Sequence, residues 1–192
     1  MIQKAKYEEI KKQYGKHSSW AIWVDEGDTP KSNIEKLELF DDEKILEKLN
    51  PNFVIVGLNP SGQDTNKKND WCNFHSSDKK RQNDYKLRYA LKDTMLWGAY
   101  MTDLSGIIKT DSNKVSVSED DVKKFQEEIS LLGTKPVLVA LGDKVYKALK
   151  KYLSEEYSII KIKHYACYIN KEKYRDEVLE VLERFNKETS LE

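Results

Sequence analysis

Four short apolar runs punctuate an otherwise polar chain, at residues 53–58, 99–104, 136–141 and 158–163. Runs of this length, rich in β-branched residues, read as strands buried on both faces, which is the habit of parallel sheets. Between them the apolar spacing changes to that of helices. A charged helix is expected over 3–14, a short one over 42–49, and a third over 84–97, with Asp84 as N-cap and Leu87, Ala90, Leu91, Thr94 and Met95 on one face. Ser118 opens the next helix, with Asp121 three residues on as a capping partner. Its inner stripe is Val122, Phe125, Ile129 and Leu132, and Gly133 ends it. Gly142-Asp143 turns directly into a helix reaching Tyr152, and a final helix covers 171–186. An aromatic stretch at 20–24, with Trp20, Ile22 and Trp23, either covers a sheet face or meets a partner.

Strands separated by helices imply right-handed crossovers. The expected fold class is therefore α/β, a three-layer α/β/α sandwich around a central, mainly parallel four-stranded sheet. Residues 1–192 read as one domain with a helical and aromatic extension at 1–50. There is no internal repeat, low-complexity tract or Pro/Gly/Ser-rich linker.

In open α/β sheets the ligand crevice lies beyond the carboxyl ends of the strands. The first run ends in Gly57-Leu58-Asn59-Pro60, which places Asn59 in that crevice. Gly57 permits a close approach that a side chain forbids, and Pro60 restricts Asn59 to extended geometry. Thr102 and Asp103 stand at the end of the second run and His164 at the end of the fourth. The loop over 61–83 is long for a compact unit and carries Trp71, Phe74 and His75, so it is expected to be functional.

Composition narrows the classes. Apolar residues make up 39% and charged residues 34%, as expected of a globular chain with a charged surface. No run approaches the roughly 18 apolar residues of a membrane span. The charged amino terminus does not read as a signal peptide, so no membrane and a cytoplasmic location are expected. Lysine plus arginine balance aspartate plus glutamate at 33 each, which argues against coating nucleic acid by bulk charge. Locally the balance breaks. Residues 61–92 hold eight basic side chains against four acidic ones, including Lys79, Lys80 and Arg81, whereas 25–48 holds nine acidic against four lysines. The basic segment reads either as a phosphate footprint or as an ordinary solvated face. Cys72 and Cys167 lack the spacing of a zinc site and read as free thiols, and the three histidines are not spaced as metal ligands.

A P-loop, a dinucleotide-binding glycine fingerprint and a Gly-x-Ser-x-Gly elbow are all absent. What remains is an ordered set: Gly57-Leu58-Asn59-Pro60, an aromatic residue in the following loop, Thr102-Asp103-Leu104, Leu138-Val139-Ala140-Leu141-Gly142, and a histidine after the last strand. Over about residues 52–170 this order resembles the uracil-DNA glycosylase superfamily, and most closely its mismatch-specific uracil/thymine branch, whose first motif is Gly-x-Asn-Pro.

The resemblance implies hydrolysis of the N-glycosidic bond of a base flipped out of DNA, uracil or another deaminated base, in base-excision repair. It implies no metal and no cofactor. Asn59 and His164 would be catalytic, the amide holding the water and the imidazole donating to the base carbonyl as charge gathers there. Gly57, Leu58, Pro60, Phe74, Thr102 and Asp103 would bind substrate, with Phe74 stacking on the base. Lys79, Lys80, Arg81 and Tyr165 would hold the single- or double-stranded DNA.

The chain departs from the family in two places. Asp103 stands at the base-reading position, where a carboxylate accepts hydrogen bonds but repels a carbonyl. His164-Tyr165-Ala166-Cys167-Tyr168 replaces the family's His-Pro-Ser. Each residue also has a plainer reading: Asn59 as a turn residue, Phe74 as an anchor, His164 as a bonded strand-end histidine, the tyrosines as packing. The alternative function is a non-catalytic member of the fold that binds a nucleobase, nucleic acid or protein. Oligomeric state is not legible. If the basic segment is a phosphate footprint, changing Lys79, Lys80 and Arg81 together to glutamine weakens DNA binding and flattens its dependence on salt. Titration at several ionic strengths checks this, and unaltered binding removes the footprint.

Overall fold

The computed structural model describes residues 2–24, 37–60, 69–75, 83–109, 111 and 114–190. Five strands form one sheet: β1 (Ser19–Trp20), β2 (Asn50–Gly57), β3 (Ala99–Asp103), β4 (Val137–Leu141) and β5 (Ile159–Ile162). Their order is β1-β3-β2-β4-β5, with β3, β2, β4 and β5 parallel and β1 antiparallel on the β3 edge. The helices are α1 (Lys4–Tyr14), α2 (Asp84–Leu91), α3 (Glu119–Ser130), α4 (Asp143–Leu153) and α5 (Lys171–Thr189). Two 3-10 turns, Glu38–Asp41 and Glu43–Lys48, precede β2.

Alternation along the strands divides the core into two layers. Val54, Val56, Tyr100, Leu138 and Ala140 face α1, α3 and α4, while Ile55, Met101, Val139, Leu141 and Ile162 face α2 and α5. The expected three-layer α/β/α arrangement is therefore present, with five strands where four were expected. The additional strand is the aromatic stretch. Trp20 pairs with Tyr100, and Trp20 and Ile22 enter one layer while Ala21 and Trp23 enter the other. A two-residue strand has too little length to show a period, so its pairing was not readable from pattern alone. The amino-terminal segment is part of the core, because Tyr7 and Ile10 of α1 are buried beside Val54 and Tyr100.

α3 begins with the expected capping box, in which the Ser118 side chain accepts from the Asp121 backbone and Asp121 accepts from the Ser118 backbone. α2 departs from expectation. It ends at Leu91, and its N-cap is Asn83, with Asp84 as the first helical residue. Asp93 takes a left-handed φ of 61°, and the Thr94 hydroxyl donates to the Leu91 carbonyl at 2.8 Å, so the chain turns away before Met95. Aspartate tolerates that conformation better than most residues.

One buried carboxylate sits behind β3. Glu128, on the inner face of α3, accepts from the Tyr100 hydroxyl at 2.8 Å, and burial raises its pKa to about 7 despite hydrogen bonds to Thr102 and Tyr100. Because the folded value lies above the ordinary 4.5, this group's contribution to stability is complete below about pH 4.5 and is lost as pH rises through about 7. The difference amounts to at most about 3 kcal/mol. Glu128→Gln is expected to remove this slope and to raise stability above pH 7, as measured by denaturant unfolding between pH 5 and 8. A slope that persists in the variant would assign it to another group.

Candidate functional site

β2 lies between β3 and β4, the point where the order of the parallel strands reverses, and the expected site lies at the carboxyl ends there. Gly57 and Asp103 are register partners at the ends of β2 and β3. A β-carbon at Gly57 would stand 2.2 Å from Asp103 Oδ1 and 3.0 Å from Phe74 Cζ, so glycine is what lets the carboxylate and the ring meet there. These three residues form the centre of the site, on the α2/α5 side of the sheet.

The loop that delivers Phe74 is held in an unusual conformation. Trp71 and Phe74 both have φ of 62°, a left-handed geometry that bulky side chains rarely adopt and that costs about 1–3 kcal/mol at each residue. Burial offsets this. Trp71 is fully enclosed among Tyr7, Trp20 and Phe40, its amide donates to the Gly15 carbonyl at 2.7 Å, and its own carbonyl accepts from the Ser19 hydroxyl at 2.7 Å. His75 is buried against Trp23 and Phe40, with Nε2 3.3 Å from the Trp20 carbonyl, so it belongs to the core. Between the two aromatics, Asn73 Nδ2 donates to Asp103 Oδ2 at 2.9 Å and to the His17 carbonyl at 2.7 Å. Sequence reasoning missed Asn73, since its partners lie 30 and 56 residues away.

Asn59 lies half-buried just beyond Leu58. Its Nδ2 donates to the Pro60 carbonyl at 2.9 Å and to the Lys109 carbonyl at 2.7 Å. Two carbonyls can only accept, so this fixes which end of the amide is which. The first bond is the local turn contact that the plainer reading anticipated. The second ties the Asn-Pro turn to the loop after β3, and Oδ1 is the end of the amide able to accept a hydrogen bond from a water. Leu58 and Pro60 are half-buried, and the Leu58 carbonyl accepts from the Ser105 amide at 3.0 Å.

His164 follows β5. Gly142, with φ of 90°, turns the chain from β4 into α4, and a β-carbon there would stand 3.8 Å from His164 Cβ. The imidazole stacks on Tyr165, centroids 4.6 Å apart, and Nδ1 accepts from the Ala166 amide at 3.1 Å. An accepting Nδ1 places the proton of the neutral ring on Nε2. The residue is exposed, yet the protein gathered round the ring and the ammonium of Lys86 lower its pKa below 6.5. The result at neutral pH is an uncharged imidazole with one N–H to offer.

Three expected roles are corrected. Thr102 points to the opposite side of the sheet from Asp103, where it is buried and bonded to Glu128, as strand alternation requires. Tyr165 packs against His164 and the α2/α5 layer, so Tyr168, fully exposed, is the tyrosine that stands in solvent. Of the basic segment, Lys86 and Arg88 are buried rather than presented to phosphates. Lys86 Nζ donates to the Cys167 and Ile169 carbonyls at 2.8 and 3.3 Å, and Arg88 Nε donates to the Val24 carbonyl at 3.3 Å. Lys86 thus ties down the loop that follows His164. Its spacing of four from Ala90 on the inner face of α2 was the signal for this. Lys79, Lys80 and Arg81 lie outside the described residues.

No group of three or more His, Cys, Asp or Glu among the described residues could hold a metal. No described helix is long and apolar enough to cross a membrane. A cavity of about 400 Å³ lies at the opposite end of the sheet, between Lys135–Val137 and Glu155–Ser158, and shares no residue with this site. Scanned against known protein families the chain matches none, and it matches no curated protein.

Because the two closest atoms at Gly57 belong to side-chain ends, Gly57→Ala is expected to lower stability by no more than about 2 kcal/mol while pushing Asp103 and Phe74 apart. Thermal unfolding measures the first effect, and the side-chain amide resonances of Asn73 report the second. Unmoved resonances would mean that the carboxylate has room to spare.

Proposed function

We propose that the chain is a DNA N-glycosidase of uracil-DNA glycosylase type. The observation that carries this reading is the meeting of Gly57, Phe74 and Asp103 at the carboxyl end of β2, with Asn59 two residues beyond. An aromatic ring beside a base-reading polar group, the two brought together over a glycine, suits a flat heterocycle. The resemblance favours uracil or another deaminated base in a repair enzyme working on DNA in the cytoplasm.

In the reaction the bond between C1′ and the base nitrogen breaks, its electron pair leaving with the base. The water oxygen bonds to C1′, and the proton it sheds balances the departing base. Asn59 Oδ1 orients that water without acting as a base, since an amide is too weakly basic for the role. His164 offers Nε2–H to a base oxygen as charge develops, and the neutral ring keeps the Nδ1 lone pair that accepts from the Ala166 amide and holds the imidazole in place.

A second reading, a nucleobase-binding protein without catalysis, draws support from the final loop, where Tyr165-Ala166-Cys167 replaces Pro-Ser after the histidine. Incubation with oligonucleotides bearing uracil, hypoxanthine or xanthine, followed by alkaline cleavage of abasic sites, separates the two. Asn59→Ala and His164→Ala are each expected to lower the rate on the order of 100-fold. The rate should hold level from pH 8 down to 6.5 and fall only below that, as the imidazole gains its proton. Full activity in both variants would trace the cleavage to a contaminant.

A further inference from the structure

We infer that Lys86 is a positioning residue for His164: from α2 it holds the loop on which the imidazole stands and sets a positive charge near the ring. The inference rests on the reading of His164 as the donor to the departing base and names what keeps it one.

A buried ammonium without a carboxylate beside it is costly, so its place asks for a reason. Lys86 is 5% exposed, and none of the ion pairs among the described residues includes it. Two neutral carbonyls take its bonds instead, those of Cys167 at 2.8 Å and Ile169 at 3.3 Å. Both belong to the turn after His164. Cys167 is thereby fixed at each end, since its amide donates to the His164 carbonyl at 2.9 Å and its carbonyl also accepts from the Ile169 amide at 2.9 Å. One residue earlier, the Ala166 amide donates to His164 Nδ1 at 3.1 Å. The ammonium thus reaches the ring through a single turn of backbone, which settles the ring nitrogen that accepts and leaves Nε2 to donate.

Loop shape alone would not call for a charge, because a neutral side-chain amide also carries two donors for two carbonyls. The charge has a separate effect. A ring protonated on both nitrogens loses Nδ1 as an acceptor and releases the Ala166 amide. The protein packed round the ring opposes that protonation, and so does the Lys86 ammonium. The other charges around the loop are engaged elsewhere. Asp143 at the start of α4 pairs with Lys161 of β5 at 2.7 Å, and Glu177 of α5 pairs with Lys163 at 2.9 Å. Asp84 of α2 and Asp103 of β3 act on the Tyr165 hydroxyl, and the Cys167 thiol acts on Lys163 and Tyr174. Burial holds the protons on Tyr165 and Tyr174.

Two substitutions separate fastening from charge. Lys86→Gln keeps donors for the carbonyls and removes the charge, whereas Lys86→Arg keeps both. The His164 ring is titrated by NMR in the full chain without substrate, while the amide resonances of Ala166, Cys167 and Ile169 report the loop. The native ring is expected to titrate below 6.5, with its neutral form protonated on Nε2. In Lys86→Gln the midpoint moves up and the three amides stay in place, and in Lys86→Arg the midpoint stays near the native one. Release of base from the oligonucleotides follows the ring. Lys86→Gln matches the native rate within about twofold at pH 8 and is about threefold slower at pH 6, with the loss in kcat rather than KM.

A native ring that titrates at or above 6.5 would overturn the inference without any variant. A midpoint unmoved by Lys86→Gln, or moved as far by Lys86→Arg, would also overturn it and leave Lys86 as a fastening of the loop. A midpoint raised by Lys86→Gln alone, without release from any oligonucleotide, would support the hold of Lys86 on the imidazole and remove only the hydrolysis.

Discussion

The parallel pairing that sets Gly57 opposite Asp103 is the constraint on which the site depends. Strand alternation sends both positions to the α2/α5 side of the sheet, and the missing side chain on β2 leaves the gap into which the carboxylate and the Phe74 ring fit. A slip of one residue in this register would turn Asp103 toward α3, where Thr102 now meets Glu128. Pairing continues past the strand ends, through Leu104 to the Gly57 carbonyl and Ser105 to the Leu58 carbonyl, and then through Asn59 to the Lys109 carbonyl. The Asn-Pro turn and the loop after β3 are thereby fastened as one rim.

Two other devices hold the rest of that rim. The left-handed backbone at Trp71 and Phe74 persists because Trp71 is sunk among Tyr7, Trp20 and Phe40, which is why the amino-terminal helix and the edge strand matter to a site they do not line. On the other side, the buried Lys86 donates to two carbonyls of the loop after His164, and the Tyr174 hydroxyl donates to the Lys163 carbonyl at 2.8 Å. Hydrogen bonds across elements here do the stiffening that prolines would do within the chain. Lys86 also helps keep the imidazole uncharged, so one ammonium serves both the loop's shape and the histidine's protonation state.

The electrostatic character of the site follows from these placements. An acceptor-only carboxylate and a neutral N–H donor stand at the ends of β3 and β5, with β2 and β4 between them.

Much of the architecture was legible in the chain because it is written in local chemistry. β-branched runs, the capping box at Ser118 and Asp121, and glycines at turns need no distant partner to be read, so four strands, their helices and the strand-end residues Asn59, Asp103 and His164 were found in order. Interactions over long sequence separation were not legible. Nothing near Asn73 announces Asp103 and His17, and nothing near Trp20 announces that it pairs with Tyr100 and adds a fifth strand. Lys86 and Arg88 count as surface charge in a composition and as buried donors in the fold, since a charge becomes structural only when carbonyls from other elements converge on it. By itself the sequence determined which residues stand at the strand ends. Tertiary structure alone decided which of them share a face, because that depends on register and crossover, and these are set by packing the whole chain.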